Sequence, residues 1–178
     1  DEPGRVVSRE TIAEPGFTRV RFGNGVVLNA KSAAYTQDLV QISVQVGAGR
    51  AGVANADYQA ASLGANFVYL GGLGRHGLSE IHDIFPDRRL GLGVQMQDEA
   101  FQLAGSTRPA DLEVQLQLTA AMLSDPGFRD DFPGQRRQII DQVYRAWRTR
   151  PEIVLTQAVG EAIAPGNPRL LPPREQID

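Results

Sequence analysis

The sequence predicts an α+β domain of two layers, an antiparallel-rich mixed sheet of about five to six strands with helices packed on one face. Three observations carry this expectation. Residues 39–46 alternate, with Val40, Ile42, Val44 and Val46 on one side and Leu39, Gln41, Ser43 and Gln45 on the other. That is the period of a strand with one buried face. Asn24-Gly25 separates two short apolar runs, the strongest short-range hairpin signal, which expects positive φ at both central residues. Ile139, Ile140, Val143, Tyr144 and Trp147 recur at helical spacing, while Arg136, Arg137, Asp141, Arg145 and Arg148 cover much of the rest.

The elements follow in order. Residues 1–16 are polar and punctuated by Pro3-Gly4 and Pro15-Gly16, and read as a linker. Phe17–Phe22 and Val26-Val27-Leu28 are the two arms of the Asn-Gly hairpin. After the alternating strand, Gly47-Ala48-Gly49 opens a loop. A helix is expected from Asn55 to Leu70, stopped by Gly71-Gly72. A shorter helix fits Gly77 to Phe85, before Pro86. Leu90–Met96 and Ala100–Ala104 are strands around a Gln97-Asp98-Glu99 turn. Ser106-Thr107 are placed to cap the next helix, with Pro109 in its first turn and Asp111 and Glu113 suiting its positive end. That helix runs to about Leu123 and stops at Asp125-Pro126-Gly127. After the Ile139–Trp147 helix, Thr149 and Glu152 have capping-box spacing for a last helix reaching about Ala164. Residues 17–165 thus form the domain, and 166–178, rich in Pro and Arg, an outgoing linker. No internal repeat is evident.

At 178 residues, with 42% hydrophobic and 22% charged residues and a net charge of −3, the chain has the composition of one ordinary globular domain, able to bury roughly 70% of its unfolded surface. Basic residues are spread along a mildly acidic chain, which argues against a nucleic-acid partner. Lys31 is the only lysine among 18 basic residues. Apolar runs fall far short of the ~20 residues of a membrane-spanning helix. With no cysteine, disulfides, thiol nucleophiles and thiolate-bound zinc are excluded. Asp1-Glu2-Pro3-Gly4 lacks the basic, apolar and cleavage regions of a signal peptide.

Candidate chemistry is sparse. His76 and His82, with Glu80 between them, superficially resemble a metal motif, but helix-borne ligands share a face at spacings of three or four, not six. Ser62, Ser79, Ser106 and Ser124 lie in no G-x-S-x-G elbow, and helix ends explain the last three. Gly71-Gly72-Leu73-Gly74 follows a helix and precedes no lysine, so it reads as a helix stop rather than a phosphate cradle. Asp98 and Glu99, and likewise Asp125, Asp130 and Asp131, suit solvated turns. The arginine-rich face of the 135–149 helix could grip an acidic partner, although such faces are more often simply solvated. Tyr144 and Trp147 belong to the core stripe. No catalytic or metal-binding residue is therefore expected in this chain, and its substrate-contacting residues are unassigned.

Six stretches, weak singly, form a specific set in their order and spacing. They are Phe22-Gly23-Asn24-Gly25-Val26, Val44-Gln45-Val46-Gly47-Ala48-Gly49, Gly71-Gly72-Leu73-Gly74-Arg75-His76, Asp98-Glu99-Ala100-Phe101-Gln102-Leu103-Ala104-Gly105, Pro109-Ala110-Asp111-Leu112-Glu113 and Leu123-Ser124-Asp125-Pro126-Gly127-Phe128. Nearly the whole chain, from about Pro3, resembles the insulinase/pitrilysin family of zinc metallopeptidases. The resemblance implies repeated α+β domains in two halves that close around a chamber. It also implies an inverted H-x-x-E-H zinc motif on the helix after the early strands of the active domain, with a further glutamate downstream. Here the corresponding helix, roughly Asp57 to Leu70, reads Ser62-Leu63-Gly64-Ala65-Asn66-Phe67 opposite that motif. No ligand or base carries over.

What remains resembles the first domain of the second, non-catalytic half, as in bacterial, often periplasmic, zinc proteases. Pro3-Gly4-Arg5-Val6-Val7 resembles the linker between halves, and Pro172-Pro173-Arg174-Glu175 the passage into the following domain, where the arginine and tyrosine lent to the active site would lie. The expected role is an inactive domain that encloses substrate, with no cofactor of its own and zinc in the parent's catalytic domain. Its expected partners are the catalytic N-terminal half of the same polypeptide, the following C-terminal domain and the parent's peptide substrate, with no nucleic acid and no membrane span. A periplasmic location follows from the resemblance, with a cytosolic one left open. The rival expectation is a peptidase-like assembly module with no proteolytic role.

Overall fold

The computed structural model describes residues 4–34, 36–127, 132–167 and 169–170, and the chain divides into two compact units, Asp1–Asp38 and Leu39–Asp178. In the first unit β1 (Val6–Ile12), β2 (Phe17–Phe22) and β3 (Val27–Ala30) form an antiparallel meander in the order β1-β2-β3, with Ile12 opposite Phe17 and Arg21 opposite Val27. β1 lies inside the stretch expected to be linker. Its residues are exposed up to Ile12, so no one-sided apolar alternation announces it. Its β-branched residues Val6, Val7, Thr11 and Ile12 suit a pleated strand.

The expected Asn-Gly turn joins β2 to β3, but by a different device. Only Gly25 has positive φ, at 89°. Gly25 N–H donates to the Phe22 carbonyl (3.0 Å), and Phe22 N–H to the Val26 carbonyl (2.9 Å). This is a turn followed by a glycine bulge rather than a two-residue loop. Asn24 serves through its side chain, whose Oδ1 accepts from Val26 N–H at 3.1 Å.

In the second unit the alternating strand is β4 (Val40–Val46). Beyond it come a single turn α1 (Gly49–Gly52), then α2 (Tyr58–Val68), which tightens into a 3₁₀ turn over Tyr69–Gly71, and α3 (Leu78–Ile84). β5 (Gly93–Met96) and β6 (Phe101–Thr107) are the predicted hairpin, and the sheet order is β4-β6-β5, all antiparallel. The described strands form two three-stranded antiparallel sheets, one in each unit, and one mixed sheet of five to six strands is not confirmed. Periodicity reports that a strand exists and which face is apolar. It does not report the partner.

Three further helices follow among the described residues: α4 (Leu112–Ser124) after a 3₁₀ turn at Pro109–Asp111, α5 (Phe132–Thr149) and α6 (Pro151–Ile163). Two expected caps are absent. Ser106 and Thr107 belong to β6, and Thr107 Oγ1 donates to the Arg89 carbonyl at 2.7 Å. Thr149 ends α5 instead of starting α6, its hydroxyl donating back to the Ala146 and Arg145 carbonyls.

Alternation gives β4, β6 and β5 an inner face where Val44, Leu103, Val94 and Met96 meet Tyr58, Ala65 and Met122 of α2 and α4. Helices cover that face, as expected of a two-layer unit. α2 is apolar on a second side too, where Leu63, Phe67 and Leu70 pack against Ile139, Ile140, Tyr144 and Trp147. α6 differs. It turns Ile153, Gln157 and Gly160 inward, and leaves Val154, Leu155, Val159 and Ile163 exposed, Ile163 by 79%. The described part of 166–178 is tied down: the Gln59 side chain donates to the Leu170 carbonyl, and Arg169 lies 5.0 Å from the Tyr58 ring centroid. Pro172-Pro173-Arg174-Glu175 lies outside the described residues.

Candidate functional site

The stretch opposite the zinc motif, residues 62–67, lies within α2. Leu63 and Phe67 point at α5, and Ala65 at the sheet. A helix pinned between two layers needs apolar residues on both sides, so these positions are occupied by packing groups. Leu63, Ala65 and Phe67 have no metal-ligating atom, and the stretch 62–67 holds neither histidine nor glutamate. Gly64 has room, since a Cβ there would meet nothing within 4 Å. Gly64→Ala is expected to raise stability by about 0.5–1 kcal/mol, from helix propensity alone, as read by urea denaturation.

The two histidines have different surroundings. His76 sits in a tight loop, paired with Leu73 by two backbone hydrogen bonds of 2.8 and 2.9 Å. Its Nδ1 lies 3.7 Å from Glu80 Oε2, both side chains being more than half exposed. Glu80 also accepts from Gly77 N–H at 2.9 Å, closing the first turn of α3. His82 lines a cavity of about 30 Å³ with Tyr69, Phe85, Leu118 and Met122, room for roughly one or two waters. Burial raises the pKa of the Tyr69 hydroxyl there. Among the described residues no three of His, Asp and Glu come together as a metal-holding group.

The glycine run proves to be a backbone crossing as well as a helix stop. Gly72, at φ 80°, ends the 3₁₀ turn, and its carbonyl accepts from Gly127 N–H at 2.9 Å. Gly74 N–H donates to the Asp125 carbonyl at 2.9 Å, and Leu73 bridges Pro126. The strands of this loop approach so closely that side chains are excluded. Ser79 lies in α3, Ser106 in β6, and Ser124 Oγ donates to the Ala120 carbonyl at 3.0 Å. Asp98, at the β5–β6 tip, is mostly exposed and pairs with Arg50 at 2.9 Å, a hydrogen bond that raises the arginine's pKa. Asp130 and Asp131 lie outside the described residues.

One polar cluster was not visible in sequence as such. Asp111, 1% exposed, accepts from Arg88 Nη1 (2.9 Å), Arg89 N–H (3.0 Å) and Arg108 Nε (2.8 Å). These donors, first of all Arg88, hold its carboxyl down at about 2. Beside it, fully buried Gln115 accepts from Gly91 N–H at 2.9 Å, and Thr119 Oγ1 donates to the Gln115 carbonyl at 2.8 Å. The cluster clamps the 87–91 loop and β6 to the start of α4. Two guanidinium groups and the Arg89 backbone N–H thus engage the Asp111 carboxylate. The i, i+3 pair Arg108–Asp111 is readable in sequence. The Arg88 contact, 23 positions away, is not.

Neither a family model nor a characterised protein sequence matches the chain. Its fold, however, recurs in solved structures. It superposes on the periplasmic protease PqqL from Escherichia coli with a TM-score of 0.77 and 18% identity, covering 99% of this chain and 19% of that one. For a point mutant of the ferredoxin protease FusC, in complex with Arabidopsis ferredoxin, the TM-score is 0.75 at 15% identity, over 100% of this chain and 20% of that one. For pitrilysin it is 0.64 at 16% identity, over 94% and 18%. The chain thus spans about a fifth of the length of these structures. No helix among the described residues is long and apolar enough to cross a membrane. The chain has the fold of a domain of insulinase/pitrilysin-family peptidases.

Proposed function

We propose that this chain is a catalytically inactive domain of an insulinase/pitrilysin-type zinc peptidase. It forms part of the wall of an enclosed substrate chamber and docks against the catalytic half of the same polypeptide, with a further domain following it. The observation that supports this reading is the fit of the whole chain to about a fifth of such proteases, together with a helix that carries neither histidine nor glutamate opposite the zinc motif and commits Leu63, Ala65 and Phe67 to packing. The zinc and the activated water would belong to the other half, and a periplasmic setting accords with PqqL.

Calorimetric zinc titration and a peptidase assay on this chain test the first part. The expected outcome is neither stoichiometric tight binding nor turnover, unchanged in His76→Ala and His82→Ala. Tight one-to-one binding lost in either variant, or hydrolysis above the no-enzyme rate, would overturn the reading. The complete reading frame tests the rest, since an H-x-x-E-H sequence upstream is expected. Its absence would favour the assembly-module reading, to which the exposed aliphatic side of α6 also lends support.

A further inference from the structure

The segment 166–178 has the composition of a linker, yet Arg169 and Leu170 are seated on the second unit's own helices. The Arg169 guanidinium lies over the Tyr58 ring, 5.0 Å from its centroid. Its Nε donates to Asn55 Oδ1 and its Nη2 to the Arg50 carbonyl, each at 3.4 Å. The Leu170 carbonyl accepts from the Gln59 side chain, and the Leu170 side chain lies against Gly160 of α6. One short segment thereby touches α1, the entry to α2 and α6.

The seat is matched to these two side chains. A guanidinium only donates, and Asn55 Oδ1 and the Arg50 carbonyl only accept. An aromatic face attracts a cation. Gly160 is the second, independent observation. Glycine inside a helix weakens it, and α6 keeps one a turn before its end at Ile163. A Cβ at position 160 would lie 2.7 Å from Leu170 Cδ2 and 3.6 Å from its Cδ1. The missing methyl is the room that Leu170 occupies. The individual contacts are nonetheless slight. Arg169 is exposed and its two hydrogen bonds are long, while Leu170 is half-buried. Asn167 shapes the approach, its Oδ1 accepting from Arg169 N–H and its carbonyl from Leu170 N–H, both at 3.0 Å. So short a local turn costs little to re-form once it has opened.

We propose that Arg169–Leu170 is a releasable latch, which seats on Tyr58, Gln59 and Gly160 and opens without unfolding of the helices beneath it. Closed, it fixes at the entry to α2 the point from which the chain runs on past Leu170. Open, it frees that stretch of chain and bares the Tyr58 ring and the Gly160 notch. Such low-energy local opening is the ordinary behaviour of segments held by few buried contacts. The latch does not depend on the peptidase reading.

Trypsin reads the latch, because Arg169–Leu170 is a cleavable bond whose arginine is occupied while the latch is closed. Cutting is followed by mass spectrometry on the folded 178-residue chain, each rate being divided by that of a free peptide of the same local sequence. Arg145–Ala146, inside α5, reports unfolding of the helices. The Arg169–Leu170 bond is expected to be cut about tenfold more slowly than in the free peptide, and about tenfold faster than Arg145–Ala146. Gly160→Ala should bring the cut at Arg169 close to the peptide rate without speeding the cut at Arg145. In a Leu170→Ala background the same substitution should change nothing, since no side chain is left to expel. Cutting of the unsubstituted chain at the peptide rate, or only in step with Arg145–Ala146, overturns the latch. So do an unaltered rate in Gly160→Ala and independent effects of the two substitutions. Protection that grows with protein concentration overturns it in favour of a second copy occupying the seat.

Discussion

Replacing Asp111 by alanine is expected to lower the thermal unfolding midpoint by roughly 10 °C, the largest effect of any single side-chain truncation outside the apolar core. The carboxylate is 1% exposed and receives two guanidinium groups and a backbone N–H. Without it, Arg88 and Arg108, each nearly half exposed, can turn to water, but Arg89 N–H and the 87–91 loop lose their anchor. Asp111→Asn should lose much of the same stability, since an amide NH₂ would face donors. The pH dependence has a definite sign. A carboxyl held at about 2 in the fold, against an ordinary 3.8, binds protons less readily folded than unfolded. Its contribution is complete above about 3.8 and is lost as pH falls toward 2. Calorimetry should show the wild-type midpoint dropping more steeply than that of Asp111→Asn between about pH 4 and pH 2. Parallel curves would remove the network from the account of stability.

Gly72→Ala is expected to cost about 3 kcal/mol, combining the left-handed backbone penalty with overpacking. At φ 80° an added Cβ would lie 2.1 Å from the His76 carbonyl oxygen. That oxygen accepts from Leu73 N–H, and Gly72's own carbonyl holds Gly127. The methyl therefore cannot be accommodated without opening the loop that joins α2 to the end of α4. Gly25→Ala is the control. It has a similar φ of 89° with nothing within 4 Å, so only the conformational part, about 1 kcal/mol, should appear. Urea midpoints compare the two, and equal losses would mean that the crossing is looser than its hydrogen bonds imply.

What was legible in the sequence was whatever has a short period. β4, the β5–β6 hairpin, α4 and the α5 stripe of Ile140 and Tyr144 all announce themselves within ten or so residues, because burial on one side imposes a repeat. β1 did not, since a strand exposed on both sides needs no repeat. The caps failed for a different reason. Thr107 and Thr149 have the right chemistry for N-caps, but β6 and α5 each extend far enough to claim them. The pairing of strands into two sheets, and the convergence of Arg88, Arg108 and Asp111, depend on residues far apart in the chain, and no local pattern encodes them. Opposite the zinc motif the sequence showed neither histidine nor glutamate. Only the structure explains the choice, since Phe67 and Ala65 serve two different layers.

α6 carries a consequence for how this sequence can drift. Of its 13 residues, Val154, Leu155, Val159 and Ile163 are large aliphatics that the fold's own interior scarcely uses. Polar replacements there would leave both clusters of the core intact, and a helix in water gains nothing from keeping them. Mutational tolerance at these four sites is therefore set from outside the unit. A deep mutational scan selected on folding alone should find them permissive, whereas one selected on the cell's requirement for the protein should not.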